Sequence, residues 1–563
     1  MNTSRPVAQA IAYSALSLFA LFYYASYYDV GFNLWDEGYL YYVIQRLSAG
    51  AIPYVDITQG YGVLWYYPIV LCCKIFGETY NVIRICLFFQ SFLTAALTLH
   101  IVWRVTKSVV WAFFFALCVL VLHSVIDKTM IPLCVAGICA LYLHPRALWP
   151  LSRRFCFMAG FFFMLIYLIR PEYGWVSMAW AFAIPVWAGA RSRRIDGAIL
   201  QSVAFIAGGA ALVLAVFLGV AAHFGFAGAF FRQESSVFLY CFHLIFPVHT
   251  APAIAPVATA AAPAAASSAA ATDSGTLARV AASGIFVCWD TFVHAIVTWG
   301  TPFFLLTSLI TAFLRERGRA AGTLPYCWHV LVVAVALSPS FFAFFFFRPD
   351  MSHFSQLAPS LFIMLAVVGY RGVTVIRRMG EPLLNKIFIP LAFVCGAAVV
   401  SIYAYDVFRT MDRTPRVLKI ATERVAIPGK FISRTIPEEA DIIRSVVDAI
   451  EKNSKPGDSI GVYPYLPGAY ALTGRRSYNP FVYCDDTTAR NNPGFIDGQI
   501  EKITDVKPPV IVVQDWPING VDASRFSVWA ARIMEYVQAH YFKVYDARHI
   551  AVYVRNDGAA GAS

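Results

Sequence analysis

Apolar segments long enough to cross a lipid bilayer recur along this chain, from its N-terminus to about Tyr405. Hydrophobic residues make up 59% of its 563 residues and charged residues 14%, whereas about a quarter of the residues in an ordinary globular domain are charged. Because a helix needs about 20 apolar residues to span the hydrocarbon core, this pattern predicts a polytopic α-helical membrane protein with about eleven transmembrane helices. The predicted spans lie near Val7–Tyr28, Tyr80–Trp103, Val109–Ile126, Thr129–His144, Phe155–Ile169, Tyr173–Gly189, Ala198–Ala222, Thr291–Leu314, Tyr326–Phe347, Phe354–Tyr370 and Ile387–Asp406.

Basic residues mark alternate loops between these spans, and the positive-inside rule places such loops in the cytoplasm. The short apolar segment Gly62–Phe76 contains Pro68, and a crossing there would turn every later basic loop outward. The parity of the membrane crossings therefore favours a helix along the outer interface, with a cytoplasmic N-terminus and an outer C-terminal domain.

Most of the net charge of +11 lies in the basic loops, so it does not indicate a nucleic-acid partner. These loops contain Arg104 and Lys107; Arg146, Arg153 and Arg154; Arg191, Arg193 and Arg194; Arg315, Arg317 and Arg319; and Arg371, Arg377, Arg378 and Lys386.

The character of the chain changes after residue 412. Residues 1–412 are predicted to form the transmembrane domain, with a first outer loop at 29–79 and an outer loop rich in Ala and Pro at 223–290. Residues 413–563 are predicted to form a small outer α/β domain with a partly parallel sheet, because strand and helix patterns alternate there. The strands are predicted at Ser459–Tyr463, Val510–Gln514, Phe542–Tyr545 and Ile550–Arg555, and the helices at Glu438–Lys452 and Phe526–His540.

Cofactor motifs are not evident in the sequence. The twelve cysteines form no CxxC pair and no Cys/His cluster, so neither a zinc site nor a disulfide framework is indicated. The C-terminal domain carries no glycine-rich phosphate motif, so we expect no bound cofactor there. Whether Asp36, Glu37 and Asp56 together hold a divalent cation is open at this stage.

Three groups of ionisable side chains, far apart in sequence, are predicted to meet at the outer membrane surface. Ionisable residues near hydrocarbon are costly and tend to mark sites of chemistry or ion handling. The first group follows the first span, in the segment Trp35-Asp36-Glu37-Gly38-Tyr39. The other candidate site residues are Asp56 and Tyr61 in the same loop, Arg170 and Glu172 at a tight turn, and Arg348, Asp350 and His353 in a later loop.

The acids and arginines also have ordinary structural explanations. An acid pair at the start of a helix can cap it and interact with its dipole, and the stretch Glu37–Ala49 is amphipathic. A partly desolvated carboxylate at the membrane boundary can instead act as a general base toward a hydroxyl. Arg170 and Arg348 suit phosphate oxygens, but either can snorkel to the interface or pair with the nearby Glu172 or Asp350.

The remaining candidates have similar alternatives. Asp56 either orients an acceptor or is a turn residue after Pro53. Tyr61 offers a face on which a sugar can stack, although an interfacial aromatic belt also accounts for it. His353 either donates to a phosphate or orients Asp350, or it is a plain interfacial histidine.

The first outer loop carries the pattern DEGYLYYVIQRLSAGAIPYVD, followed by GYGVLWYYP. This pattern resembles the first outer loop of the GT-C superfamily of membrane glycosyltransferases. The nearest likeness is to the branch with the protein O-mannosyltransferases, the lipid A aminoarabinose transferase and the bacterial RgtA/B/C/D-like enzymes. The chain departs from this branch where Tyr61-Gly62-Val63-Leu64 replaces a Pro-Pro-Leu turn.

The resemblance implies an inverting glycosyltransferase of the bacterial inner membrane. Such an enzyme moves a sugar from a polyprenyl-phosphate carrier to an envelope glycan, lipid or protein on the outer face of that membrane. The catalytic acid of the family maps to Asp36, with Glu37 as its neighbour. The anionic lipid phosphate that leaves needs cations or hydrogen-bond donors, for which Arg170 and Arg348 are the candidates.

Two other functions compete with sugar transfer. A transporter or a flippase for lipid-linked sugars would carry ionisable residues within its spans and often inverted repeats, but the sequence shows no repeat and its charges gather at one rim. A polysaccharide polymerase or ligase would share the outer arginines but generally lacks an acid pair in the first loop. Product analysis, a single residue against a polymer, separates sugar transfer from the polymerase or ligase, and uptake into vesicles without covalent transfer would indicate the transporter or flippase.

Overall fold

The computed structural model of the chain describes residues 4–57, 61–122, 153–171, 197–232, 361–366, 417–492, 494–517 and 522–556, together with positions 133, 134, 137, 174, 182, 387, 390 and 394. Within these residues the N-terminal part is helical, at the positions that the apolar pattern predicts. The remaining predicted spans, which begin at residues 129, 173, 291, 326, 354 and 387, fall largely outside the described residues. The helices are α1 (Ser4–Tyr27), α2 (Asp36–Ser48), α3 (Val63–Phe76), α4 (Tyr80–Thr106), α5 (Val109–Leu122), α6 (Arg153–Ile169) and α7 (Gly197–His223).

Three stretches of the described helices are long and apolar enough to cross a membrane: Val7–Tyr27, Tyr80–Thr106 and Ile199–His223. Helix α3 has 14 residues, which gives a length of about 21 Å and is short for a hydrocarbon core of about 30 Å. Its side chains Ile75 and Phe76 are 64% and 73% exposed. The helix at this position is confirmed, and its placement along the outer interface stays a prediction.

The C-terminal part contains a five-stranded mixed sheet with the strand order β4-β3-β5-β7-β6. Strand β3 runs parallel to β4 and β5, while β7 runs antiparallel to β5 and β6. The prediction of a partly parallel sheet is therefore confirmed. The elements are β1 (Glu423–Ile427), β2 (Phe431–Thr435), α8 (Pro437–Asn453), β3 (Ser459–Tyr463), α9 (Gly468–Thr473), β4 (Arg476–Ser477), α10 (Asp486–Asn491), α11 (Phe495–Val506), β5 (Val510–Gln514), α12 (Phe526–Trp529), α13 (Ala531–His540), β6 (Tyr541–Ala547) and β7 (Ile550–Arg555).

The single helix predicted over Phe526–His540 is wrong, because the segment forms two helices that meet at Ala530. Asp515 holds the start of the first one, since its carboxylate accepts hydrogen bonds from the backbone N–H and the hydroxyl of Ser527, both at 2.8 Å. Ala530 itself is fully buried. The chain thus bends to keep this residue in the core of the domain.

The first outer loop and the C-terminal domain are joined by a short pairing of extended backbone. The N–H of Gly31 donates to the carbonyl of Arg434 at 2.7 Å, and the N–H of Arg434 donates to the carbonyl of Asp29 at 2.6 Å. The guanidinium of Arg434 also donates to both oxygens of the Asp29 carboxylate, at 2.9 and 2.7 Å. The loop and the domain are therefore in direct contact.

Helix α2 approaches the C-terminal domain more closely than any side chain would permit. A Cβ atom on Gly38 would lie 2.4 Å from the backbone nitrogen of Gly468. The N–H of Gly468 donates to the carbonyl of Leu34 at 2.8 Å. Buried side chains of α2, such as Tyr41, belong to the same hydrophobic core as Ile443 of α8. Helix α2 and the C-terminal domain therefore share one continuous hydrophobic core, which also includes side chains of helices α1, α3, α4 and α5.

Candidate active site at the first outer loop

Asp36 begins helix α2 with an exposed side chain. The side chain of Asn33 performs the capping, because its Oδ1 accepts hydrogen bonds from the N–H groups of Trp35 and Asp36 at 2.8 and 3.2 Å. Among the described residues, Tyr465 is the donor to the Asp36 carboxylate, with its hydroxyl 2.7 Å from Oδ1. The carboxylate is therefore oriented by one hydrogen bond and accessible to solvent.

Glu37 differs from its neighbour because it is 5% exposed. One nitrogen of Arg84 donates to both of its oxygens, at 2.9 and 3.1 Å, and the N–H of Asn33 donates to Oε2 at 2.7 Å. Arg84, from helix α4, is 4% exposed and also donates to the carbonyl of Gly31 at 2.6 Å. A buried charge pair is stable only with such additional hydrogen bonds. Glu37 thus fixes the loop to helix α4.

Tyrosines line the space behind Asp36. The hydroxyls of Tyr66 and Tyr39 lie 3.4 Å apart, and the ring of Tyr39 lies 6.3 Å from the ring of Tyr465. Burial raises the pKa of the Tyr465 phenol, and the adjacent Asp36, Tyr61 and Tyr39 raise it further. Tyr465 is therefore a neutral hydrogen-bond donor throughout the physiological pH range.

Tyr61 and Arg170 meet at the end of helix α6. The N–H of Gly62 donates to the carbonyl of Ile169 at 2.9 Å, and a Cβ atom on Gly62 would lie 1.8 Å from the carbonyl oxygen of Leu168. Only glycine fits this contact. The guanidinium carbon of the buried Arg170 lies 5.0 Å from the centre of the Tyr61 ring, in a cation–π contact.

Asp36 and Arg170 each contact a tyrosine in this part of the molecule. Tyr465 donates to Asp36, and Arg170 lies over the ring of Tyr61. A carboxylate that can accept a proton and a cation that suits an anion therefore both border tyrosine side chains.

The side chain of Asp56 stabilises the turn in which this residue lies. Its Oδ2 accepts a hydrogen bond from the N–H of Ile52 at 2.7 Å, and the N–H of Tyr54 donates to the carbonyl of Ile57 at 3.1 Å within the same turn. This is the geometry of a turn residue after Pro53. Glu172, Arg348, Asp350 and His353 lie outside the described residues.

Asp36, Glu37 and Asp56 are the candidate carboxylates for a metal ion at this site. In the part of the chain that the structure describes, no group of three or more His, Cys, Asp or Glu side chains could hold a metal ion. Both oxygens of Glu37 already accept hydrogen bonds, which leaves Asp36 without its expected partner ligand. The described residues therefore do not fit a cation held by Asp36, Glu37 and Asp56.

Two important side chains of this site were missed in the sequence. Arg84 lies in an apolar helix close to its first turn, and an ionisable residue in such a position is a recognisable signal. Tyr465 carries no signal of its own, because nothing local links it to a residue more than 400 positions away. Its role becomes visible only through the docking of the C-terminal domain.

Fold and site together define an integral membrane protein in which an α/β domain closes over an acidic first loop. No family model and no curated protein matches the chain. Among solved structures it is similar to ArnT from Cupriavidus metallidurans bound to undecaprenyl phosphate, with 12% identity over 98% of each chain and a TM-score of 0.47. It is also similar to the archaeal oligosaccharyltransferase AglB from Archaeoglobus fulgidus in complex with an inhibitory peptide and a dolichol-phosphate, with 12% identity, 99% of this chain and 74% of that chain covered, and a TM-score of 0.45.

Proposed function

We propose that this protein is an inverting glycosyltransferase that moves a sugar from a polyprenyl-phosphate donor to a hydroxyl of an envelope glycan, lipid or protein. The reaction takes place at the outer face of the bacterial inner membrane. The observation that carries the proposal is the accessible, oriented carboxylate of Asp36 at the end of the loop after helix α1. The donor class follows from the resemblance of the first-loop pattern to GT-C enzymes.

In the proposed reaction Asp36 acts as the general base. Its carboxylate takes the proton of the acceptor hydroxyl while the hydroxyl oxygen attacks the anomeric carbon of the donor sugar. The bond between that carbon and the phosphate oxygen breaks on the opposite face. The electron pair of this bond leaves with the lipid phosphate, which gains one negative charge as Asp36 gains the proton.

The negative charge that develops on the lipid phosphate requires a nearby cation. Arg170 supplies one from the end of helix α6, where its guanidinium lies over the ring of Tyr61. A planar guanidinium matches phosphate oxygens in geometry as well as in charge. In this proposal Arg348, which is close to Asp350 and His353 in sequence, provides the second cation from a later segment of the chain.

Glu37 has a different task from Asp36 in this proposal. Both of its oxygens accept charge-assisted hydrogen bonds from Arg84, and it is buried. Removing a proton from an acceptor would require Glu37 to leave this pair, which is costly at a buried site. We therefore assign proton transfer to Asp36 and assign Glu37 to holding the loop in place.

The decisive experiment compares wild-type protein with the variant Asp36→Asn in membranes that contain a polyprenyl-phosphate sugar and an envelope extract as acceptor. Loss of the general base should lower transfer by about 100- to 10,000-fold. An asparagine amide oxygen can still accept from Tyr465, so the fold should be kept. Unchanged transfer by Asp36→Asn would defeat the assignment of the base.

The same assay tests the class of activity. Mass analysis of the product should show one added sugar, and NMR of the anomeric proton should show the configuration opposite to that of the donor. Movement of intact lipid-linked sugar across vesicle membranes, without covalent transfer, would instead favour the flippase alternative.

A further inference from the structure

The C-terminal domain reaches into the proposed active site through one side chain. Tyr465 follows strand β3 and lies 429 residues from Asp36 in sequence, yet its hydroxyl donates to Asp36 Oδ1 at 2.7 Å. Hydrogen bonds to an ionised carboxylate are short and stronger than bonds between neutral groups. The contact therefore has the form expected of an orienting interaction.

The ring of Tyr465 is itself held by fixed neighbours. It packs against Tyr483 in an edge-to-face contact, with ring centres 4.9 Å apart. The hydroxyl of Tyr483 donates to Asp485 at 2.6 Å, and Asp485 caps helix α10 by accepting from the N–H of Thr488 at 2.7 Å. The ring of Tyr465 is thus held by a side chain of its own domain as well as by the hydrogen bond to Asp36.

Docking of the domain on the first outer loop does not depend on the Tyr465 hydroxyl. The backbone pairing of Gly31 with Arg434, and the bond from Gly468 to Leu34, join the loop to the domain elsewhere. The hydroxyl of Tyr42 also accepts from the N–H of Ser477 at 2.8 Å. Loss of the Tyr465 hydroxyl should therefore leave the interface assembled.

We propose that Tyr465 is a positioning residue for the general base, which makes the C-terminal domain a component of the catalytic site. The inference rests on the proposed function. By holding Oδ1, Tyr465 fixes the plane of the Asp36 carboxylate and leaves Oδ2 to accept the proton of the acceptor hydroxyl. Since burial raises the pKa of its phenol, Tyr465 remains the donor over the whole working pH range.

The test is steady-state kinetics of the full-length variant Tyr465→Phe, which keeps the ring and removes the hydroxyl. Loss of a hydrogen bond to a charged group should lower kcat by about 10- to 100-fold. Since Tyr465 orients the base and does not bind substrate, KM for the lipid donor and for the acceptor should change by less than about twofold. Thermal unfolding in detergent verifies that the variant is folded.

Tyr42→Phe is the matched control, because it removes a tyrosine hydroxyl from the same interface without touching Asp36. Its kcat should equal that of wild type. The inference is overturned if Tyr465→Phe keeps full kcat, or if both variants lose kcat equally, since the second result indicates a merely structural role. Asp36→Asn separates the two failures. An active Asp36→Asn variant refutes the proposed base and this inference together, whereas an inactive one beside a fully active Tyr465→Phe refutes the inference alone.

Discussion

The adjacent carboxylates of Asp36 and Glu37 lie on two faces of helix α2 and have opposite environments. On the face toward helix α4, Glu37 is buried and bound by Arg84. On the face toward the C-terminal domain, Asp36 is exposed and held through one oxygen by Tyr465. One carboxylate is saturated with hydrogen bonds and the other keeps capacity to accept a proton. The difference shows that burial, more than residue type, decides which acid anchors and which acid is available for chemistry.

The largest effect on stability is expected on the buried side. Glu37→Gln leaves the Arg84 guanidinium buried without a counter-charge and should cost about 3–5 kcal/mol of unfolding free energy. Asp36→Asn, one residue away and exposed, should change stability by no more than about 0.5 kcal/mol. Denaturant titration of both variants in detergent micelles measures the contrast. Equal destabilisation by the two substitutions would abolish the distinction between the two faces.

The next effect concerns the close approach of α2 to the C-terminal domain. An alanine at Gly38 would place its Cβ 2.4 Å from the backbone of Gly468. Overpacking should cost about 1–3 kcal/mol, and it should outweigh the gain of about 1 kcal/mol in helix propensity, because a backbone cannot move aside as a side chain can. Limited proteolysis of the segment between the last span and β1 should accelerate in Gly38→Ala.

Gly498, in helix α11, is the control for this prediction. A Cβ atom added there meets nothing within 4 Å, so Gly498→Ala should stabilise the domain by about 0.5–1 kcal/mol through helix propensity alone. Similar behaviour of the two variants would show that the Gly38 contact is not tight.

A smaller effect is expected at Trp35. Its indole Nε1 donates to the side-chain oxygen of Gln514 at 2.7 Å, and Gln514 is 4% exposed. Trp35→Phe removes this bond and should cost about 1 kcal/mol, visible as a lower thermal midpoint. Transfer activity should fall much less than in Tyr465→Phe, since Trp35 does not touch the Asp36 carboxylate. An equal loss of activity would extend the site to this side of the loop.

The smallest effect is a pH dependence at Tyr465. The folded protein raises the pKa of this phenol above its ordinary value, which is about 10. The unfolded chain therefore loses the proton first, and the contribution of Tyr465 to stability is complete below about pH 10 and declines as the pH rises further. The stability difference between wild type and Tyr465→Phe should narrow in that range, and a constant difference would contradict the raised pKa.

Local elements of the fold could be predicted because their signals are local. Apolar periodicity located helices α1, α4 and α7, and buried β-branched runs located strands β3 and β5. The two helices in the segment 526–540 cannot be predicted from local periodicity, because Ala530, where they meet, is buried in the core of the domain.

The site was predictable in part for the same reason. The acid pair in Trp35-Asp36-Glu37-Gly38-Tyr39 stands out among apolar residues, but the sequence does not distinguish the roles of its two members. Their roles are set by Arg84 and Tyr465, which lie 47 and 429 residues away from the acids they contact. Such pairings depend on how elements dock, and periodicity within one element cannot encode them.

The docking of the first loop against the last domain has a consequence for biogenesis. Helix α2 leaves the ribosome early, whereas its covering surface is synthesised 429 residues later, a delay of about 20–90 s at ordinary elongation rates. During that interval, side chains such as Tyr42, which is buried in the finished protein and stacks on Tyr470 of the C-terminal domain, lack this cover. The nascent loop therefore exposes an aromatic surface that other groups have to cover until the end of translation.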